Sequence, residues 1–128
     1  MIEIAVYDEK RDFDNIINSC IKENWVKLYI TKKQEFSQAL SSSKTYVAFH
    51  DKQYCGFIRC ITDEFFTIYC CEIIVDEQFR RKGIGKQLLK TVYEQYPTCS
   101  VDVLSDNDEF YKNNDFIILC NGMCRKWV

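Results

Sequence analysis

The chain has 128 residues, a hydrophobic content of 47% and a formal net charge of −2. That suffices for one domain around a single core, and it is too nearly neutral for a global attraction to nucleic acid or an anionic membrane, so any positive field has to be local. The longest unbroken apolar run, residues 116–120, is far short of a membrane span. The opening MIEIAVYDEKRDFDN alternates and then turns acidic, unlike a signal peptide, so a cytoplasmic protein is expected.

In chain order, residues 2–7 (IEIAVY) alternate as a short strand. Phe13, Ile16, Ile17, Cys20 and Ile21 recur at helical period and predict a helix over residues 12–23, capped by Asp12. Residues 31–34 (TKKQ) have the form of a capping box, and Phe36, Ala39 and Leu40 supply the buried stripe of a second helix. The texture then changes. TYVAFH (45–50) reads as a strand, Asp51-Lys52 as a turn, residues 53–61 as the returning strand, 62–64 as a second turn and 65–76 as a long strand. A helix follows over 85–96, with Leu88, Leu89, Val92, Tyr93 and Tyr96 on one face and Pro97 ending it. CSVDVL (99–104) is strand-like and residues 108–113 form a short helix. Residues 116–120 and 123–128 read as a final hairpin turning at Asn121-Gly122. Early helices, an antiparallel meander and a strand–helix–strand crossover make an α+β fold with a mixed sheet, parallel across the crossover.

The eight cysteines contain no CxxC pair, and the one histidine, His50, cannot complete a Cys/His zinc set. Most sit among apolar neighbours, as in IYCCEII and IILCNGMC, where cysteine serves as a small buried hydrophobe. Reduced thiols and no metal are expected.

The stretch EQFRRKGIGKQLLK (77–90) concentrates Arg80, Arg81, Lys82 and Lys86 around Gly83 and Gly85, after a strand and at the start of a helix. Backbone N–H groups at a helix start, with glycine permitting close approach, form an anion site, and the cations add a field that acts over about a Debye length, near 8 Å at physiological salt. The P-loop pattern GxxxxGK[ST] is absent. The dinucleotide pattern GxGxxG fails because Leu88 stands at its third glycine and the loop lies too far from the strand; Asp106 at the expected downstream distance does not rescue it.

Arg80-Arg81-Lys82-Gly83-Ile84-Gly85 has the form Arg/Gln-x-x-Gly-x-Gly/Ala, after an apolar strand end, a polar turn and an aromatic residue, IIVDEQF. This resembles motif A of the GNAT superfamily of acyl-CoA-dependent N-acyltransferases. TYVAFHDKQYCGFIRC is similar to the family's second and third strands, and FYKNNDF to its "FYxxxGF" signature, with Asp115 in place of the glycine. The resemblance spans about residues 44–120 and implies a mostly antiparallel sheet of about six to seven strands flanked by about four helices.

It also implies a chemistry: acetyl transfer from acetyl-CoA to a primary amine. By resemblance, Arg80, Arg81, Lys82, Gly83, Ile84, Gly85 and Lys86 grip the pyrophosphate, the backbone of Ile73, Ile74 and Val75 pairs with pantetheine, and an N–H near Ile74 faces the carbonyl. Tyr111, in the signature, is the general acid for the departing thiolate: a phenol of pKa about 10 keeps its proton at neutral pH. Glu72 interrupts YCCEIIV, where a carboxylate needs water, a partner or substrate, and is the candidate base; an outward-facing strand glutamate is the other reading, and water is the alternative base. His50, and Cys70 or Cys71 as an acyl-accepting nucleophile, are weaker candidates. The acceptor would be framed around residues 24–30 (NWVKLYI), where Trp25 and Tyr29 either pack in the core or line a pocket. Peptide, polyamine, aminoglycoside and small-metabolite amines all stay open, as does a homodimer; no nucleic-acid or membrane partner is expected. The competing reading is a GNAT-like module that binds CoA without catalysis.

Overall fold

The computed structural model describes residues 1–25, 27 and 29–126. Strand β1 (Ile2–Val6) leads to helices α1 (Glu9–Lys22) and α2 (Lys33–Ser42); strands β2 (Lys44–His50), β3 (Gln53–Thr62) and β4 (Thr67–Val75) follow. A single 3-10 turn (Glu77–Phe79), helix α3 (Ile84–Gln95), strand β5 (Ser100–Val103) and helix α4 (Asp108–Lys112) complete the order. The sheet runs β1-β2-β3-β4-β5. All pairs are antiparallel except β4–β5, which is parallel across α3 as the crossover requires. The α+β mixed sheet is as expected, with five strands among the described residues rather than six to seven.

Each face of the sheet carries its own core. On one side Ile58, Cys60, Ile68 and Cys70 pack under Leu88, Leu89 and Val92 of α3. On the other, Val47, Phe57 and Ile74 meet Ile16, Ile17 and Cys20 of α1 with Phe36 and Leu40 of α2. Among the described residues no helix is long and apolar enough to cross a membrane.

Local chemistry moves several boundaries. Helix α1 starts before Asp12 because Asp8 is the cap: its carboxylate accepts from the Arg11 N–H at 3.2 Å. Asp12, fully buried, reaches back to accept from the Asp8 N–H at 2.9 Å. The capping box over 31–34 does not form; Thr31 donates instead to the Lys27 carbonyl, and α2 begins after Lys32 with no side-chain cap. The β2–β3 turn at Asp51 and Lys52 has both residues at positive φ, 49° and 69°, the geometry of a two-residue hairpin. The long strand shortens to Thr67–Val75 because the Asp63 carboxylate collects the N–H groups of Phe65, Phe66 and Thr67 and holds them in a turn. Tyr93 lies on the solvent side of α3, 45% exposed.

The expected hairpin is the main departure. Residues 116–126 form no strand, and Ile117, Ile118 and Leu119 are exposed; the rest of the second arm, 127–128, lies outside the described residues. The FIILC run does not alternate, so it favours neither face, and the four-residue β5 offers little edge to pair with.

Candidate active site

Strands β4 and β5 pair only from Thr67↔Ser100 to Cys70↔Val103. Beyond Cys70, β4 runs on to Val75 against β3 alone, and a cavity of about 630 Å³ opens where β5 has left it. Ile73, Ile74 and Val75 form one wall. Its mouth carries Arg80, Arg81, Gly83 and Lys86, and the opposite side carries Asp106, Asn107, Phe110 and Tyr111.

A β-bulge sets which side chains reach this gap. The register slips between Arg59↔Glu72 and Cys60↔Cys70, leaving Cys71 as the extra residue. Strand parity therefore inverts: Ile68 and Cys70 face α3, whereas Ile74 belongs to the α1–α2 core and Ile73 and Val75 take over the α3 side. The backbone follows its own alternation. A Cβ on Gly56 would run into the Ile74 carbonyl oxygen, so that carbonyl points to β3, and the Asp76 N–H likewise bonds back to the Cys55 carbonyl at 2.8 Å. The edge toward the gap thus belongs to Ile73 and Val75 rather than to Ile74, with the Val75 carbonyl already accepting from Arg80.

The loop after β4 leaves its amides open. Gly83 sits at φ +80°, left-handed, and a Cβ there would meet nothing within 4 Å, so space lies in front of it. Among the described residues the N–H groups of Arg81 through Lys86 have no intramolecular acceptor; the first bond of α3 is donated by Gln87 to the Gly83 carbonyl at 3.0 Å. These amides, the positive end of α3, and Arg81 and Lys86 fit a diphosphate. Gly85 is small for a different reason: a Cβ would stand 2.8 Å from the Phe110 ring. Two of the expected grips differ from the rest. Lys82 does not line the cavity. Arg80 is engaged already, its Nε donating to the Val75 carbonyl at 2.9 Å and its guanidinium to Glu23 at the end of α1 at 2.8 Å.

Tyr111 is buried, 6% exposed, and reaches the cavity from α4. Asn107 fixes that short helix by accepting from the Phe110 N–H at 3.2 Å, and Phe110 and Phe116 hold the Tyr111 ring edge-on at 5.1 and 5.3 Å. Burial, then the neighbouring Cys70 and Asp106, push its pKa well above the ordinary phenol value.

Glu72 points to the other face of the sheet and does not line the cavity. Arg59 donates to both of its carboxylate oxygens at 2.6 Å, and Tyr29 donates at 3.3 Å. Burial pulls the Arg59 pKa down, but the hydrogen bonds and charge of Glu72 outweigh it and leave it raised. Trp25 reaches the cavity and stacks on Tyr29, centroids 5.8 Å apart, while Tyr29 packs edge-on against Phe36, so one residue of the pair is wall and the other core. His50 does not line the cavity and packs beside Phe79 and Asp51. Cys70 is buried and Cys71 half-buried, both free thiols. Glu23, Asp106 and Asn107 were not predicted as site residues. Asn107 carried a sequence signal, a capping type just before a helix; Asp106 stood out only through the rejected dinucleotide pattern, and Glu23 carried none.

The model of the acetyltransferase (GNAT) domain family matches residues 41–118. A GNAT-family acetyltransferase from Streptococcus pneumoniae is 26% identical, with 100% of this chain and 98% of that one covered at a TM-score of 0.81. Glucosamine-6-phosphate N-acetyltransferase from Arabidopsis thaliana, 12% identical, shares the fold over 100% of this chain and 99% of its own at a TM-score of 0.74. An aminoglycoside acetyltransferase from an uncultured soil metagenomic sample, solved with sisomicin, is 17% identical over 99% and 95% of the two chains at a TM-score of 0.75. No curated protein matches the chain. Unbonded amides at a helix start, set at the mouth of a gap between two parted parallel strands, suit an extended acyl-CoA, and the family match agrees with that geometry: the chain belongs to the GNAT family of acetyltransferases, which use acetyl-CoA.

Proposed function

We propose that the protein transfers the acetyl group of acetyl-CoA to a primary amine by direct attack, with Tyr111 as the general acid. The carrying observation is the Tyr111 side chain, buried yet lining the same cavity as the open edge of β4. Acetyl-CoA, when bound, supplies an activated thioester. Amides 81–86 with Arg81 and Lys86 hold its diphosphate end. The Ile73 and Val75 backbone orients its arm, and an N–H on that edge stabilises developing negative charge on the carbonyl oxygen, worth roughly 3 kcal/mol. Tyr111 donates its hydroxyl proton to the departing sulfur, and its raised pKa keeps that proton in place at neutral pH. Arg80, tied to Glu23 and Val75, positions the loop against α1. Glu72 anchors the acceptor-side segment through Tyr29, and water takes up the proton of the amine.

Tyr111→Phe keeps the ring and removes the proton. CoA affinity by calorimetry should hold while kcat falls, by roughly 10²- to 10⁴-fold. Wild-type turnover in Tyr111→Phe would reject the assignment, and a folded wild type that binds CoA but acetylates no member of a broad amine panel would favour the non-catalytic CoA module.

A further inference from the structure

Asp76, the first residue after β4, is a buried carboxylate with no part in the chemistry above. It is 6% exposed, and it accepts from the Ser19 hydroxyl of α1 at 2.7 Å. Ser19 is fully buried; with its proton given to Asp76, it accepts in turn from the Tyr54 hydroxyl of β3 at 2.8 Å. Burial raises the Tyr54 pKa, so that phenol keeps its proton and donates. Lys22 stands 3.8 Å from the other carboxylate oxygen with its side chain 57% exposed, which makes it a weak partner. The hydrogen-bonded chain from Tyr54 through Ser19 is therefore what makes burial of Asp76 tolerable.

The spacing is telling. Four residues on from Ser19 is Glu23, four residues on from Asp76 is Arg80, and those two are ion-paired at 2.8 Å. Residues four apart share one face of a helix. Between Asp76 and Arg80 the chain closes a single 3-10 turn, the Phe79 N–H donating to the Asp76 carbonyl at 2.8 Å. Two ties one turn apart thus fasten the β4–α3 connection to the end of α1. The inner tie is buried, and the outer one is partly exposed and open to screening. The unbonded amides 81–86 begin directly beyond the outer tie.

We propose that Ser19 and Asp76 are positioning residues for the cofactor: their buried hydrogen bond ties the β4–α3 loop to α1 and holds it in the form that receives the acyl-CoA diphosphate. This rests on amides 81–86 being the diphosphate site proposed above. A loop already held in its bound form does not have to be ordered by the ligand, and the apparent Kd rises as the fraction of molecules in that form falls. Neither Ser19 nor Asp76 lines the cavity, so both act through the loop backbone. Because Lys22 is a weak partner, what matters at position 76 is an acceptor oxygen rather than a charge.

The test is calorimetric titration of the full chain with CoA, beside thermal unfolding of each variant. Ser19→Ala and Asp76→Ala should each weaken CoA by about 10- to 100-fold, the range for a hydrogen bond to a charged group. Asp76→Asn keeps an acceptor oxygen and should stay within about threefold of the wild type. Leu40→Ala, in α2, which makes neither tie, should lower Tm yet leave CoA affinity within about twofold. If Asp76→Ala does not fold, Ser19→Ala decides by itself, since it removes only a hydroxyl from a helix. Wild-type CoA affinity in Ser19→Ala overturns the proposal. So does a loss in Leu40→Ala equal to that in Ser19→Ala, which would make any loosening of the fold sufficient, and so does a loss in Asp76→Asn as large as in Asp76→Ala. Gly83→Trp separates the levels. If it abolishes CoA binding while Ser19→Ala does not, only the ties fall; if it too leaves CoA affinity intact, the diphosphate lies elsewhere and the reading of the loop falls with them.

Discussion

Two glycines, two residues apart, are glycine for unrelated reasons. Gly83 is held at φ +80° with free space around it; Gly85 has no room because the Phe110 ring sits where its Cβ would be. Gly83→Ala should therefore cost roughly 1 kcal/mol of stability from backbone strain. Gly85→Val overpacks the site by about 1–3 kcal/mol and pushes on Phe110, the neighbour that holds Tyr111. Thermal unfolding beside steady-state kinetics separates the two: kcat should drop far more in Gly85→Val, and equal kcat in both variants would show that Phe110 does not transmit the strain. Tyr111 also sets a pH expectation. Burial raises its pKa, so its proton is kept to higher pH than in a free phenol. An alkaline fall in kcat that vanishes in Tyr111→Phe should therefore lie above pH ~10; a Tyr111-dependent fall near pH 8 would contradict the burial seen here.

Among elements, β4 decides most. Its bulge at Cys71 sends Glu72 to the α1–α2 side while Ile73 and Val75 face the α3 side and line the cavity. The Arg59–Glu72 pair is well buried, with side chains 15% and 4% exposed. Losing one partner leaves a buried charge uncompensated, at a cost of about 3–5 kcal/mol, whereas replacing both by apolar residues is often close to neutral. Glu72→Gln should accordingly lower the denaturation midpoint strongly, and Arg59→Met/Glu72→Leu should recover much of it. If the double variant regains stability yet loses kcat by more than about 100-fold, Glu72 is the catalytic base after all. The family resemblance implied a bulge before the loop, but the residues themselves do not place it: Glu72 interrupts an otherwise apolar YCCEIIV, and nothing local marks which residue will be left over when the two strands are paired.

For the whole molecule, ligand binding and folding are linked. CoA at 100 times its Kd should stabilise the protein by about 2.7 kcal/mol, a rise of several degrees in Tm. Gly83→Trp, which fills the space before the amides, should abolish that rise; an unchanged shift would place the diphosphate elsewhere. Thiol accessibility follows the two cores. Cys20, Cys55, Cys60 and Cys70 are buried, and burial raises Cys20 to about 12 and Cys55 to about 11. Cys120 and Cys124 are exposed. A maleimide probe at pH 7 should label the exposed pair at once and the buried four only on unfolding, and early labelling of Cys60 or Cys70 would mean that the sheet opens.

The order of elements as far as α4, the parallel crossover and the glycine turn that opens α3 were determined by the sequence alone, because periodicity, turn residues and a glycine between cations act over a few neighbouring residues. So was the place of Tyr111 on a short helix after β5. Tertiary structure alone decided the rest. Arg80 and Arg81 are adjacent and alike in sequence, yet Arg80 is committed to Glu23, 57 positions away. Glu72 stands next to Ile73, yet faces the opposite core across a one-residue bulge. Asp106 became part of the cavity only because β5 stops at Val103 and parts from β4. Each of these depends on which distant groups share a small volume once the chain is packed, and local sequence patterns carry no record of that.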